Sequence, residues 1–382
     1  MLKVALIGCG KIADSHASQI ARIPGCRIVA ACDLEALMAR QFAERFAVEH
    51  SFSDISQMLR VARPDVVHIT TSPQSHFPLA CQCLEGGAHV YVEKPFTLNT
   101  SEAEKLFAVA DQAGRKITVG HDDQFSHAAR RLRETIRSGY LGGAPVHMES
   151  LYCYDLTEPG YAKALLGDKT HWVRRLPGGL LQNVISHGIA RVAEWFTTDR
   201  PTVIAHGFVS PMLRRMNERQ IIDELRVIIQ EEDRLTAYFT FSSQMRPSLH
   251  AFRLYGPKNG IALDEDQQTV IRLPGSRMKS YAEKFVAPAR LGRQHFQNVK
   301  YNVSQFLRRD FHMKSGMKFL IESFYRSITE GTPLPIPQAE VLRTSRIMDD
   351  IFEQINRGRE TSLVLPRREN QVPAANEKPA NC

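Results

Sequence analysis

The segment Gly8-Cys9-Gly10-Lys11-Ile12-Ala13 follows directly on a short apolar run at residues 4–7 and opens a helical stretch. Few local patterns restrict a fold as strongly. A strand that turns on glycine into a helix N-terminus is the first unit of a doubly wound α/β sheet. The first glycine allows the tight turn, and the second lets the backbone approach a pyrophosphate. Ala13 lets helix and strand pack closely. The helix N-terminus, at Lys11 and Ile12, adds N–H donors and the positive end of a dipole. Asp33 ends the next strand-like run, 20 residues beyond Ala13. Its carboxylate can accept from ribose hydroxyls and would repel a 2′-phosphate. The pattern therefore predicts a bound dinucleotide and favours NAD over NADP.

The surrounding chain keeps the same rhythm. Runs at 28–31, 66–69, 89–92 and 117–119 are rich in β-branched or aromatic residues, and helical stretches at 34–47 and 101–113 lie between them. Short apolar strands alternating with helices call for a parallel sheet with crossover helices. A Rossmann dinucleotide-binding domain is expected over residues 1–122. Beyond it the rhythm changes. One helix (128–138) precedes strand-like runs at 146–154, 202–209, 225–230, 235–241, 250–255 and 260–264, with a seventh at 270–273. Turn residues such as Pro257-Lys258-Asn259-Gly260 join them, as in antiparallel hairpins. Helices at 317–330 and 338–356 complete an expected α/β domain with an open, mostly antiparallel sheet over 123–366. The polar stretch 367–382 is expected to be a disordered tail.

Two further motifs bear on chemistry. Glu93-Lys94-Pro95 follows the strand-like run 89–92, where open α/β sheets bind ligands. Pro177-Gly178-Gly179 leads into Gln182-Asn183-Val184-Ile185-Ser186-His187, placing Asn183 and His187 at i and i+4 on one helical face. Together with Ser72-Pro73-Gln74-Ser75-His76, these segments stand in the order and spacing of the glucose–fructose oxidoreductase, inositol dehydrogenase and MocA family. The chain resembles that family over roughly residues 1–366. The resemblance implies a nicotinamide cofactor held by Gly8, Gly10, Lys11, Ile12, Ala13, Asp33, Thr71, Ser72, Pro73, His76, Glu93, Lys94 and Asp122. It implies hydride transfer from a sugar, nucleotide-sugar or cyclitol hydroxyl. Lys94 would bond the reacting oxygen, His187 would shuttle its proton and Asn183 would fix the substrate. It also implies a cis bond before the proline of the glutamate–lysine–proline signature.

The sequence departs from the family pattern at informative places. Asn183 stands where an aspartate is usual, and an amide cannot raise the histidine pKa by pairing. Ile185 replaces a common glycine. His121, Asp122 and Gln124 replace a usual Tyr, Asn and Arg in a segment resembling V-G-Y-N-x-R-F. Trp172, Arg174 and Arg175, just upstream of the glycine turn, offer a stacking face and two guanidiniums suited to an anionic sugar. Two rival readings remain open: an inactive NAD- and sugar-binding regulator, and a redox-neutral NAD-using glycosidase.

Composition narrows the class. The 382 residues carry 43% hydrophobic and 24% charged side chains, which excludes collagen-like, coiled-coil and largely disordered chains. No run of about 18 uncharged apolar residues occurs, so no membrane-spanning helix is expected. The N-terminus enters a strand pattern at once, leaving no room for a signal peptide. Seven cysteines, odd in number and sparse, suggest reduced thiols of a cytoplasmic protein. Cys81 and Cys83 lack a second Cys/His pair, so no metal site is expected. Between 281 and 315 stand Lys284, Arg290, Arg293, Lys300, Arg308, Arg309 and Lys314 against Glu283 and Asp310. That stretch reads as a solvated loop and helix face, as a wall attracting a phosphorylated or carboxylated substrate, or as a membrane or nucleic-acid contact. Its aromatics (Phe285, Phe296, Tyr301, Phe306, Phe311) are spaced for helix packing rather than base stacking, and no nucleic-acid partner is expected. An open sheet leaves an apolar face for a symmetric partner, so a homodimer or homotetramer is expected.

Overall fold

The computed structural model describes residues 1–156, 166–275, 281–312 and 314–364. The expected tail at 367–382 lies outside them. Strands β1 (Leu2–Ile7), β2 (Cys26–Cys32), β3 (His50–Phe52), β4 (Val66–Ile69), β5 (His89–Val92) and β6 (Ile117–Val119) form a parallel sheet in the order β3-β2-β1-β4-β5-β6. Helices α1 (Lys11–Ile20), α2 (Ala36–Phe46), α3 (Ile55–Ala62), α4 (His76–Glu85) and α5 (Thr100–Gln112) connect them. Val4, Ala5 and Leu6 are fully buried in succession, because helices cover both faces of the sheet. The strand order reverses between β1 and β4, which opens a crevice beyond their carboxyl ends. Strand β3 went unread in the sequence because three residues are too few to show a period.

After α6 (His127–Arg137) come β7 (His147–Asp155), α7 (Gly179–Val184), α8 (Ser186–Ala193), β8 (Thr202–Phe208) and α9 (Pro211–Arg215). Then follow β9 (Glu224–Glu231), β10 (Leu235–Ser242), β11 (Gln244–Tyr255), β12 (Asn259–Asp264) and β13 (Thr269–Pro274). These seven strands form an open sheet in the order β13-β12-β11-β7-β10-β9-β8. Every neighbouring pair is antiparallel except β7 with β10. Leu132, Ile189 and Ile351, from α6, α8 and the last helix, pack with Phe239 and Phe252 on one face. The other face leaves Ile204 and Tyr238 exposed.

Three helices close the chain: α10 (Glu283–Leu307), α11 (Ser315–Thr329) and α12 (Gln338–Val364). The sequence reading had α11 and α12 in the second unit. Packing divides the chain otherwise: Leu320, Ile321 and Phe324 of α11 and Val341 of α12 join the core of the parallel sheet. Further along α12, Ile347 and Phe352 join the core of the open sheet. Helix α11 thus packs with the parallel sheet, and α12 contributes to the cores of both sheets. In the sequence, α10 showed only as a basic stretch with aromatics at helix spacing, without bounds.

Candidate active site

The turn after β1 is fixed by sterics. Gly8 has φ +89°, and a Cβ there would lie 2.7 Å from the Thr71 methyl. Only glycine fits such a position without strain. Gly10 is different: no protein atom lies within 4 Å of where its Cβ would stand. No side chain caps α1, which begins at Lys11. An uncapped helix N-terminus beside open space is suited to receive a phosphate. Asp33 Oδ2 accepts from the Cys9 N–H at 2.7 Å and Oδ1 from the Glu35 N–H at 3.0 Å. Its carboxylate is thereby held beside the glycine turn. Leu34, next to it, is 90% exposed and offers an apolar face that sequence reasoning passed over. Arg40, on α2, is exposed. The residues present therefore fit a dinucleotide.

Three of the implied cofactor contacts have other work. His76 is fully buried, with Nδ1 2.9 Å from the Pro95 carbonyl and Nε2 3.2 Å from the Thr71 carbonyl. It ties the Thr71-Ser72-Pro73 turn to the Lys94-Pro95 turn, whose peptide is cis, and cannot itself reach a ligand. Glu93 is also buried. Its Oε1 takes the His16 Nε2–H at 2.8 Å and its Oε2 the Lys94 N–H at 3.1 Å. Burial alone would raise this carboxyl, but the hydrogen bond and charge of His16, followed by the Lys94 charge, outweigh it and hold it near about 2. Behind it runs a buried relay that the sequence reading missed. The Tyr325 hydroxyl meets His68 Nε2, His68 Nδ1 meets His16 Nδ1, and His16 meets Glu93, each at 2.8 Å. The third is Asp122, described below.

Lys94 leaves β5 at the crevice and its ammonium donates to the Asn183 backbone carbonyl at 3.0 Å. Asn183 thus contributes its main chain to this contact. A second tie joins Gln74 Nε2 to the Trp172 carbonyl at 3.2 Å. Gly178 offers no space to a ligand: the Phe352 ring lies within 2.5 Å of a hypothetical Cβ there. Ile185, fully buried, joins α7 to α8 as part of the core. Gly188 lets α8 lie against Phe239 and Tyr152, which sets the depth of His187 beside it.

His187 is 9% exposed and its Nδ1 has no hydrogen-bond partner. Two carboxylates face the ring: Asp122 Oδ1 lies 3.8 Å from Nε2 and Asp123 Oδ2 3.9 Å from Nδ1. Both come from the turn after β6, so Asp122 stands against the histidine rather than serving as a simple cofactor contact. The Tyr152 hydroxyl donates to Asp123 Oδ2 at 2.8 Å. Burial pushes His187 down to about 4, with Asp123 opposing and Lys94 reinforcing the shift. Burial and the neighbouring Asp123 raise Asp122 to about 7. Asp123 resists the same burial penalty because His187, Arg191 and Tyr152 hold its charge, and it stays far below the usual carboxylate range. Asp123 therefore carries the negative charge of the pair. Sequence reasoning named Asp122 and not Asp123; the adjacent Tyr152 partner lies on β7 and is invisible to local pattern. His121 packs edge-on to His187 at 6.0 Å between ring centroids. Gln124 turns away to Glu340 at 2.6 Å, so its replacement of the usual arginine serves packing.

The expected substrate guanidiniums separate. Arg174 is paired with Glu218 at 2.9 Å with 12% of its side chain exposed, which commits it to the fold. Arg175 is exposed. Trp172 is half-buried and stacks on His171 at 5.6 Å. The carboxylates of Asp122 and Asp123 together with His187 form a cluster with metal-ligand spacing, which the sequence reading, expecting no metal, did not anticipate.

Residues 2–121 match the family described as "Oxidoreductase family, NAD-binding Rossmann fold". Among curated relatives, D-glucoside 3-dehydrogenase of Escherichia coli is 31% identical over 142 residues, covering 37% of this chain and 40% of the relative. Inositol 2-dehydrogenase of Rubrobacter xylanophilus is 31% identical over 161 residues, covering 42% and 46%. The chain thus spans less than half the length of these relatives. The WlbA dehydrogenase of Bordetella pertussis, solved with NADH and UDP-GlcNAcA, superposes with a TM-score of 0.74 at 15% identity, covering 94% of this chain and 96% of that one. This likeness extends the shared fold across both sheets. No described helix is long and apolar enough to cross a membrane.

Proposed function

The N-terminal domain belongs to the Gfo/Idh/MocA oxidoreductase family, and on that premise we propose that the protein moves hydride between a nicotinamide dinucleotide and a secondary hydroxyl of a sugar, nucleotide sugar or cyclitol. The observation that carries this reading is a neutral, buried His187 with a free ring nitrogen, backed by the ionised Asp123 and near enough to feel the Lys94 charge. When bound, the nicotinamide supplies the hydride acceptor or donor that no side chain can provide. Lys94, anchored on the Asn183 carbonyl, retains donors for the substrate oxygen and steadies the alkoxide as its proton leaves. His187 takes that proton at a ring nitrogen, and Asp123, fixed by Tyr152, stabilises the imidazolium. The aspartate missing at position 183 is replaced from the β6 side of the cleft.

Asp33 favours NAD over NADP, since its fixed carboxylate opposes a 2′-phosphate. Leu34 gives the adenine an apolar seat. Arg175 and Trp172 face an anionic or nucleotide-linked sugar. The six cysteines among the described residues are free, which fits a reducing cytoplasm. The exposed face of the open sheet, with Ile204 and Tyr238, is the surface for a homo-oligomer. The test is absorbance at the NADH band with NAD and a panel of nucleotide sugars, uronates, free sugars and inositols. Turnover with one substrate class, lost in Lys94→Ala and His187→Ala proteins that still bind NADH, is the expected result. Turnover unchanged in both variants overturns the assignment.

A further inference from the structure

Helix α10 is built inside out for a globular protein. Its inward face is polar. Gln294 pairs its amide with the backbone of Arg272 through a 2.8 Å and a 3.0 Å bond. Asn298, 1% exposed, does the same at Val270 with 3.0 Å and 3.1 Å bonds. These two amides cover the edge of β13 much as another strand would. Tyr301, one turn on, lies under the Arg131 guanidinium.

The apolar residues point the opposite way. Phe285, Phe296, Val299, Val303, Phe306 and Leu307 are all more than half exposed, Phe285 at 77% and Leu307 at 75%. At about 100° per residue they fall in one stripe along the helix, opposite Gln294, Asn298 and Tyr301. The expectation that these aromatics serve packing is thus met by Tyr301 and, beyond the helix, by Phe311, whose ring lies 5.9 Å from that of His127. Exposed cations flank the stripe at Lys284, Arg293 and Lys300, with Arg308 and Arg309 at its end. No acidic residue occurs between 284 and 309.

We propose that α10 is an interfacial helix that docks the protein on an anionic phospholipid surface. The charge pattern selects this occupant. A second copy of the same face would meet it isologously, bringing Arg293 and Lys300 against their own like charges with no acid to offset them. A headgroup layer supplies negative charge at the rim and acyl chains beneath the stripe at once. The helix lies on such a surface and does not cross it, in keeping with the absence of a spanning helix among the described residues.

The experiment is co-sedimentation of the full chain with vesicles of phosphatidylglycerol and phosphatidylcholine, or of phosphatidylcholine alone, at low and high salt. The expected result is binding to the anionic vesicles only, weakened by salt. Phe296→Glu and the double change Arg293→Glu, Lys300→Glu should each cut partitioning at least roughly tenfold. These side chains are exposed, so melting temperature and NADH binding should hold. Absence of binding to anionic vesicles at low salt overturns the proposal, as does binding indifferent to Phe296→Glu. A smaller assembly for Phe296→Glu in light scattering, without vesicle binding by the parent, overturns it in favour of a subunit contact.

Discussion

Asp123 Oδ2 lies 3.9 Å from His187 Nδ1 although the two residues sit 64 positions apart, one in the turn after β6 and the other on α8. The carboxylate lacking at Asn183, which lies on α7 rather than on the histidine's own helix α8, is supplied from the turn after β6. Tyr152 holds it there. Asp123→Asn should therefore lower kcat roughly a hundredfold while leaving KM within a small factor. Tyr152→Phe should have a smaller effect of the same kind. Steady-state kinetics on the two variants check this; an unchanged kcat in Asp123→Asn contradicts it.

The buried histidine predicts an unusual pH profile. A base depressed from its ordinary value to about 4 stays competent well below pH 6. The kcat/KM for alcohol oxidation should thus show no acid limb at the ordinary histidine value of about 6.5. A step near 7 should come from Asp122 and vanish in Asp122→Asn.

Asp122 also couples stability to pH. Its folded pKa lies above the unfolded one, so the native state binds more protons than the unfolded state between about 4 and about 7. Its ionisation therefore costs stability as pH rises through that window. Asp122→Asn should raise the melting temperature more at pH 8 than at pH 5. His187 works with the opposite sign. Its lowered pKa lets the unfolded state take the proton first, so its contribution is lost as pH falls below about 6.5. An Asp122→Asn gain that shrinks toward pH 8 would contradict the assignment.

The two glycines of the turn should fail differently. Gly8→Ala meets Thr71 at 2.7 Å in a left-handed conformation and should cost on the order of 1–3 kcal/mol of stability. Gly10→Val places its branches in open space, so the fold should survive while NADH binding is lost. Calorimetry and NADH fluorescence titration separate the two outcomes; retained NADH affinity in Gly10→Val contradicts the cofactor placement.

Arg174 and Arg175 should part company as well. Arg174→Ala breaks a mostly buried pair with Glu218 and should lower stability by about 1–3 kcal/mol. Arg175→Ala should leave the melting temperature in place and raise KM for anionic sugars. Equal effects of the two variants on KM alone would contradict this division.

Much of this was legible in the chain itself. The glycine turn, Asp33 and Glu93-Lys94-Pro95 act through local backbone geometry, and local geometry is what sequence pattern records. Most strands were readable, those of the parallel sheet as short apolar runs between helices and those of the open sheet as longer runs joined by turn residues. What escaped depended on partners distant in sequence. His16, His68 and Tyr325 meet only when α1, β4 and α11 pack. Asp123 acquires its role from β7 and α8. Arg174 looks free until Glu218 is placed beside it. Helix α10 was obscured because its apolar stripe faces outward, so its period does not mark a core.

The most direct test follows deuterium. A sugar of the active class, labelled at the carbinol carbon, is incubated with NAD and the product NADH is analysed by mass spectrometry. The account predicts one deuterium in the nicotinamide ring with the parent protein and none formed with His187→Ala. Sugar turnover without labelled NADH accumulating would contradict it and point to redox-neutral use of the cofactor.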